Sequence, residues 1–480
     1  MSYSANRDYP LAVDLDGTLL RVDSLIEMFV VNLLRQPWTT ILALLALLKG
    51  RAAFKKRMAE INLVDVTLLP VHKELMAYLH EQKAKGRELF LVTAADHDIA
   101  TTIAHQLGIF SGATGSIDGR NLKGQSKLAL LQQRFPEGFA YAGDSPADIP
   151  IWRAARSVIL VGIDDATRRA VADLDDRIER DFRAARAGQH RWLGALRIHQ
   201  WTKNLLLFMP LFLAHKYGDA GAVTNCLLAF PCLGLVASGT YLINDLSDLD
   251  SDRAHPTKRN RAIASGAIGA GSALTAAVAC LAAGLLGAVS ISAEFLLTML
   301  IYFAVTLSYS LAIKRVAMLD VVVLGGLYTL RVLMGTVVIN VGVSPWLLMF
   351  SLFFFLGFSL AKRYVEIVGE GARGGDGFVP GRGYKFSDGP LLLAFGIATS
   401  LVAILILTLY IANDAFPTGA YRQPQWLWLT APIVLLWTMR VWLLCFRGEM
   451  HDDPVAFAVK DRASWFLGLL LLLSFIAATQ

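Results

Sequence analysis

The sequence predicts a chain of two parts, a soluble amino-terminal part and an all-α polytopic membrane part of about nine transmembrane helices. Three observations carry the prediction. Of 480 residues, 55% are hydrophobic and only 18% charged, and the mean hydropathy is +0.49, too apolar for an ordinary water-soluble globule. The apolar residues are unevenly spread: residues 1 to about 190 alternate short apolar runs with charged helices, whereas the chain after about 203 is a series of long apolar blocks parted by short polar loops. Between two of those blocks, residues 244–261 hold four carboxylates followed by four cations.

The amino-terminal part is expected over 1–163. A charged stretch rich in Arg, Asp and Ala follows over 164–191, expected as a soluble helix or linker, and the membrane part fills 192–480. The first residues, Met1-Ser-Tyr-Ser-Ala-Asn-Arg-Asp8, lack the apolar core of a secretory signal, so the first part is expected in the cytosol. The net charge of +6 does not call for nucleic acid, because the cations sit beside apolar blocks, where membrane orientation explains them. Cys226, Cys232, Cys280 and Cys445 lie inside apolar blocks without a CxxC pair or a neighbouring His, which supports neither a disulfide framework nor a zinc site.

In the soluble part, the apolar run from Pro10 to Val13 leads into Asp14-Leu-Asp16-Gly-Thr-Leu-Leu20. A strand ending there presents the two carboxylates on one face, and the glycine lets the backbone turn sharply. Three further segments follow in order: Leu89-Phe-Leu-Val-Thr93, Gly124-Gln-Ser-Lys127 and Gly143-Asp144-Ser-Pro-Ala-Asp148. This set resembles the haloacid-dehalogenase superfamily. The resemblance implies a doubly wound α/β sheet with its site at the carboxyl ends of the strands. It makes Asp14 the nucleophile, Asp16 the acid/base, Thr93 and Lys127 the phosphate clamp, and Asp14, Asp144 and Asp148 the Mg²⁺ ligands. Residues 24–80, between the first two motifs, would be a helical cap. Within it, Ile41–Leu48 is wholly apolar and is followed by Lys49, Arg51, Lys55, Lys56 and Arg57. That stretch is too short to span a bilayer, and is read either as dipping into the membrane interface or as packing against the sheet.

In the membrane part, apolar spans are expected near 204–216, 221–243, 267–289, 293–312, 319–339, 344–361, 390–412, 425–446 and 463–479, the first of them short. Counting from a cytosolic first part, the cytosolic loops carry Arg253, Lys258, Arg259, Arg261, Lys314, Arg315, Lys362, Arg363, Arg373, Arg382, Lys385, Arg447 and Lys460. The opposite loops offer only Lys216 and Arg422. This asymmetry supports the parity of the count and places the acidic block on the cytosolic side.

Asp245, Asp248 and Asp252 recur at helical spacing, so a helix continuing past Asn244 would project them from one face as hard oxygen ligands for Mg²⁺. The pattern Asn244-Asp-x-x-Asp248-x-x-x-Asp252, then His255-Pro-x-Lys258-Arg-x-Arg261-x-Ile-Ala-Ser-Gly266, resembles the first aspartate motif of the UbiA superfamily of intramembrane prenyltransferases. Where that superfamily has a second aspartate motif, this chain has Lys362-Arg363-Tyr-Val-Glu366 and then Arg382-Gly-Tyr384. With Arg197-Ile-His-Gln-Trp201-Thr-Lys203-Asn204, Tyr309-x-x-x-x-Lys314, Asp320, and Asp453-Pro-Val-Ala-Phe-Ala-Val-Lys460, the pattern resembles the decaprenyl-phosphate phosphoribosyltransferase branch over about 190–480.

One acidic motif plus many cations suits a donor such as phosphoribosyl pyrophosphate, with its metal-bound diphosphate and separate 5-phosphate, and a polyprenyl phosphate acceptor. The resemblance implies Mg²⁺ on Asn244, Asp245, Asp248 and Asp252. It places Lys203, Lys258, Arg261, Lys314, Lys362 and Arg363 on phosphates, and Tyr309, Glu366, Arg382, Tyr384 and Lys460 on substrate. The fused phosphatase would then remove the 5-phosphate of the product. The alternatives are prenylation of an aromatic or other small acceptor, with the phosphatase acting on a separate phosphate, and a soluble part that serves as a docking module.

Overall fold

The computed structural model describes residues 9–61, 65–117, 121–183, 189–371, 377–379, 382–416, 421–450, 457–458 and 460–480. They fall into two compact units, one of residues 1–197 and 241–278, the other of 198–240 and 279–480.

The first unit is built on six parallel strands: β1 Leu11–Val13, β2 Leu89–Asp96, β3 Gly112–Ser116, β4 Ala140–Gly143, β5 Ser157–Val161 and β6 Ile178–Phe182. Their order in the sheet is β3-β2-β1-β4-β5-β6, the doubly wound arrangement in which the direction of winding reverses beside the first strand. Both faces of the sheet are covered, so β1 and β5 are uniformly buried apolar runs instead of alternating ones. β6 lies in the stretch expected as a soluble helix or linker. Residues 164–182 instead fold as a helix at Asp165–Ala170, a 3₁₀ turn at Ala172–Arg177 and this edge strand. The charges that read as a linker are the solvated outer side of the strand: Arg180 and Asp181 are exposed, while Glu179 is drawn inward onto Arg87, at 3.0 Å.

The cap is helical as expected, with α1 Ser24–Arg35, α2 Pro37–Ala43, a 3₁₀ segment Leu44–Lys49, and α3 Arg51–Glu60. Asp23 caps α1 by accepting from the Ile26 amide at 3.0 Å. One apolar core runs from the sheet through α1 to the chain around the acidic block, joining Leu11, Leu89 and Val31 to Leu246, Leu249 and Ile268. Burying each such side chain contributes about 1.5–3 kcal/mol. The acidic block is therefore folded into the same unit as the sheet.

Among the described residues, eight helices are long and apolar enough to cross a membrane: Ala220–Ser247, Ala270–Val289, Ala293–Leu311, Leu319–Val338, Pro345–Gly369, Phe386–Ala415, Pro424–Phe446 and Arg462–Thr479. The short first span expected near 204–216 is not among them. There the chain forms a 3₁₀ helix Ile198–Phe208 and a separate α-helix Met209–Leu213, with Pro210 at the junction removing an amide donor.

Candidate functional site

The doubly wound sheet brings its chemistry to the carboxyl ends of β1, β2 and β4. Asp14 follows β1, and its Oδ1 accepts from the Leu15 amide at 2.8 Å, which fixes the side chain at the strand end. Its Oδ2 meets Lys127 Nζ at 2.7 Å. Gly17 has φ +74°, and a Cβ there would lie 2.2 Å from Asp144 Oδ2, so only glycine lets this turn close over the acidic group. Asp144 accepts from Thr18 Oγ1 at 3.0 Å, and Asp148 accepts from the Ser145 amide and hydroxyl at 3.2 and 3.0 Å.

Asp14, Asp144 and Asp148 each offer a ligand oxygen, and these atoms lie within 4.8 Å of one another. Burial, followed by the charges of Asp14 and Asp148, pushes Asp144 up to about 7; burial and Asp14 raise Asp148 as well. Three hard oxygen donors crowded beside one lysine are the donor set that Mg²⁺ takes. Asp16 stands apart, accepting from the Ser24 amide at 2.9 Å, and burial and then Asp23 raise it to about 7. It therefore holds a proton near neutrality, as a general acid must. Thr93 is buried within β2, three residues before its end, with its hydroxyl accepting from the Ala95 amide at 3.0 Å. The cavity between these groups has a volume of about 200 Å³.

Two contributors escaped the sequence reading. Tyr141 sits in an apolar strand, yet its hydroxyl accepts from Lys127 and donates to Asp148, both at 2.9 Å; a tyrosine alone among small apolar neighbours was the available signal. Lys55 reaches from α3 to the Ala94 carbonyl at 2.6 Å and Asn121 Oδ1 at 3.1 Å, and it lines the cavity. Burial lowers its pKa.

The acidic block departs from the single helix expected of it. The long helix ends at Ser247, Asp248 makes the junction, and a short helix Leu249–Ala254 follows. Amide bonds from Asp248 to Asn244 O and from Asp252 to Asp248 O, at 2.9 and 2.8 Å, keep near-helical register across the break. Asp245 and Asp252 consequently still converge, and Arg261 Nη1 bridges them at 3.2 and 2.7 Å. Arg197 adds a second cation on Asp245 at 2.5 Å while lying over the Tyr241 ring. Asn244 and Asp248 are half-buried beside them, and Lys258 is exposed.

The second unit gathers another set. Asp320 and Arg363 are fully buried and joined at 2.7 Å; Tyr384 donates to Asp320 at 2.5 Å, and Glu366 pairs with Arg363. Arg382 lies 3.6 Å from Glu366, 3.4 Å from the Tyr309 hydroxyl and 3.5 Å from the Lys314 carbonyl. Arg363, expected to neutralise phosphate, is instead spent on two carboxylates, since a guanidinium this deeply buried needs matched charge. Lys314 and Lys362 are half-buried, Lys203 stands over the Tyr328 ring at 5.8 Å, and Lys460 is exposed. Residues 453–456 of the last motif lie outside the described residues, as does Arg373. Also unforeseen is Arg331, buried within the span Leu319–Val338 and donating to Asn204 Oδ1 at 3.1 Å and the Tyr302 hydroxyl at 2.8 Å. An ionisable group within a span marks a functional position by default.

Comparison with known proteins finds a family for each part of the chain. Residues 11–153 match the haloacid dehalogenase-like hydrolase family and residues 205–468 the UbiA prenyltransferase family. The chain is 42% identical over 477 residues to protein y4nM of Sinorhizobium fredii, an alignment covering 98% of this chain and 92% of that one. It is 32% identical over 290 residues to the nodulation protein NoeC of Azorhizobium caulinodans, covering 59% of this chain and 92% of that one. It is 33% identical over 177 residues to the decaprenyl-phosphate phosphoribosyltransferase of Mycobacterium tuberculosis, covering 36% of this chain and 59% of that enzyme. With an acidic block at the end of one apolar helix and a family match over more than half its length, the chain belongs to the UbiA prenyltransferase family and carries a haloacid dehalogenase-like hydrolase domain at its amino terminus.

Proposed function

We propose that the membrane part transfers 5-phosphoribose from phosphoribosyl pyrophosphate to a polyprenyl phosphate, and that the hydrolase domain removes the 5-phosphate of the product. The observation that carries this reading is the cluster of Tyr309, Lys314, Arg363, Glu366, Arg382 and Tyr384, which includes the residues this chain has in place of a second aspartate motif. With Arg363 held by Asp320 and Glu366, Lys314 and Arg382 are the cations of the cluster that would meet anionic oxygen, which suits a donor with a separate 5-phosphate. Similarity to the phosphoribosyltransferases supports it over the matched third of the chain.

In the transfer, an oxygen of the lipid phosphate attacks C1 of the ribose, the bond from C1 to the pyrophosphate oxygen breaks, and pyrophosphate leaves. Asp245, Asp248 and Asp252 are hard-oxygen donors that would hold Mg²⁺, which when bound supplies positive charge to the departing pyrophosphate. Arg197 and Arg261, already at this block, would share the diphosphate charge. In the hydrolase domain a carboxylate oxygen of Asp14 would attack the phosphorus, the bond to the 5-oxygen would break and Asp16 would give its proton to that oxygen; a water that returns a proton to Asp16 would then attack the phosphorus, break its bond to Asp14 and release inorganic phosphate. Lys127 and Thr93 would hold the phosphoryl oxygens. Both sites would face the cytosol of a bacterial inner membrane, where a product confined to the bilayer stays within reach of a tethered second enzyme.

The test is to incubate purified protein with Mg²⁺, phosphoribosyl pyrophosphate and a polyprenyl phosphate and to weigh the lipid products. A polyprenyl-phosphoryl-ribose is expected. Transfer from a prenyl diphosphate to 4-hydroxybenzoate instead would make the enzyme an aromatic prenyltransferase.

A further inference from the structure

The cap carries an apolar surface for which neither reaction has a use. From α2 through the following 3₁₀ turn, Pro37–Leu48 is an apolar helical segment, and its large side chains point outward. Trp38 is 80% exposed, Leu42 63%, Leu45 60% and Leu48 87%. Of the two readings open in the sequence, packing against the sheet is thus not what these side chains do. Residues spaced by four and three form one stripe along a helix. Proteins that work in water rarely leave a contiguous stripe of this kind uncovered.

Two further observations identify what covers it. The segment leaves α1, and α1 is fastened along its length to the approach of a membrane span. A Cβ on Gly271, in the first turn of Ala270–Val289, would lie 2.9 Å from Ile26. Glu27 pairs with the buried Arg253, with one contact at 2.9 Å, and Arg35 pairs with Asp250 at 2.9 Å. The apolar segment therefore begins two residues beyond a contact with the loop that leads into that span. Its far end is basic: Lys49, Arg51, Lys56 and Arg57 follow within nine residues, and Lys56 and Arg57 are exposed. Apolar side chains flanked by cations match the boundary between acyl chains and anionic headgroups. At twelve residues the segment cannot cross, since a bilayer core requires about 20.

We propose that Pro37–Leu48 lies in the membrane interface with Trp38, Leu42, Leu45 and Leu48 among the acyl chains, holding the phosphatase cap on an anionic bilayer surface. The two elements that flank it also wall the phosphatase cavity, α1 through Ser24, Leu25 and Met28 and α3 through Lys55, so the anchor sets where that cavity opens. The assignment does not depend on which lipid the enzyme processes.

The experiment uses the full chain at one copy per nanodisc containing phosphatidylglycerol, with and without brominated acyl chains. The Trp38 signal is taken as the difference between wild type and Trp38→Phe. Blue-shifted emission quenched by the brominated lipid is expected. Emission typical of water and unaffected by bromine would overturn the proposal, as would shielded emission that bromine does not quench, which would mean cover by protein. The paired variant Leu42→Glu with Leu45→Glu provides a second reading. It should lose most of the quenching while hydrolysis of a small soluble phosphomonoester continues at the wild-type rate, and undiminished quenching in that variant would also count against the anchor.

Discussion

At the ends of β1 and β4, Asp14, Asp144 and Asp148 stand with ligand oxygens within 4.8 Å and share one lysine, whereas Asp245 and Asp252 are matched by Arg197 and Arg261. The first cluster is built on strand ends fixed by ladder bonds and a glycine turn, and it carries more negative charge than its partner neutralises; burial first, and then the charges of Asp14 and Asp148, raise the pKa of Asp144. The second is built across a helix break and is neutralised by side chains from two other segments. On the proposed reading, the crowded carboxylates with one cation would receive a metal ion, and the carboxylates already paired with arginines would receive a metal together with an anion that takes over those arginines.

Breaking the first cluster should have the largest effect. Asp14→Asn keeps the shape of the nucleophile and removes its charge, so hydrolysis of a small phosphomonoester should fall by roughly 10⁴-fold or more, as for nucleophile deletions elsewhere. Pentose transfer should continue at the wild-type rate, and mass analysis should show the lipid product retaining its 5-phosphate. Identical lipid products from both proteins would show that the hydrolase serves another substrate.

For the second cluster, Asp245→Asn should lower pentose transfer by about 10²-fold or more, corresponding to a loss of about 3 kcal/mol of transition-state stabilisation. Phosphatase turnover in the same preparation should be unchanged. Near-normal transfer would remove the acidic block from the mechanism.

The joint between the clusters is the buried pair Glu27–Arg253, one turn from Ser24, which holds Asp16, and one residue from Asp252. Glu27→Gln leaves a buried guanidinium without its charge partner and should cost about 3–5 kcal/mol, visible as a lower thermal midpoint in detergent. Glu27→Leu combined with Arg253→Met should recover most of that loss. If the recovered protein still transfers pentose poorly, the pair positions the acidic block as well as supporting the fold.

The smallest effect is in pH dependence. Asp16, raised to about 7, must be protonated to serve as acid, so with Mg²⁺ saturating, phosphatase kcat should fall about tenfold per unit above that pH. A pH–rate profile with no limb near 7 would place the acid elsewhere.

The sequence by itself determined the classes of element and the candidate carboxylates. Asp14, Asp16 and Asp144 were legible because each stands beside a glycine or at the end of a short apolar run, and Asp148 by its spacing from Asp144, signals contained within a few residues. The long spans were legible because about 20 apolar residues in a row have one stable environment. The first span was legible only as a short stretch, and it is built of a 3₁₀ helix and a separate α-helix that meet beside Pro210. Tertiary structure alone decided the partners. Lys55 joins the phosphatase cavity from the cap, Arg363 is committed to Asp320 and Glu366, and Glu27 meets Arg253 across 226 residues of sequence. Such pairs leave no periodicity, because a buried charge is satisfied by whichever chain segment the fold carries past it, and only the packed core that joins β1, α1 and the acidic block settles which segment that is.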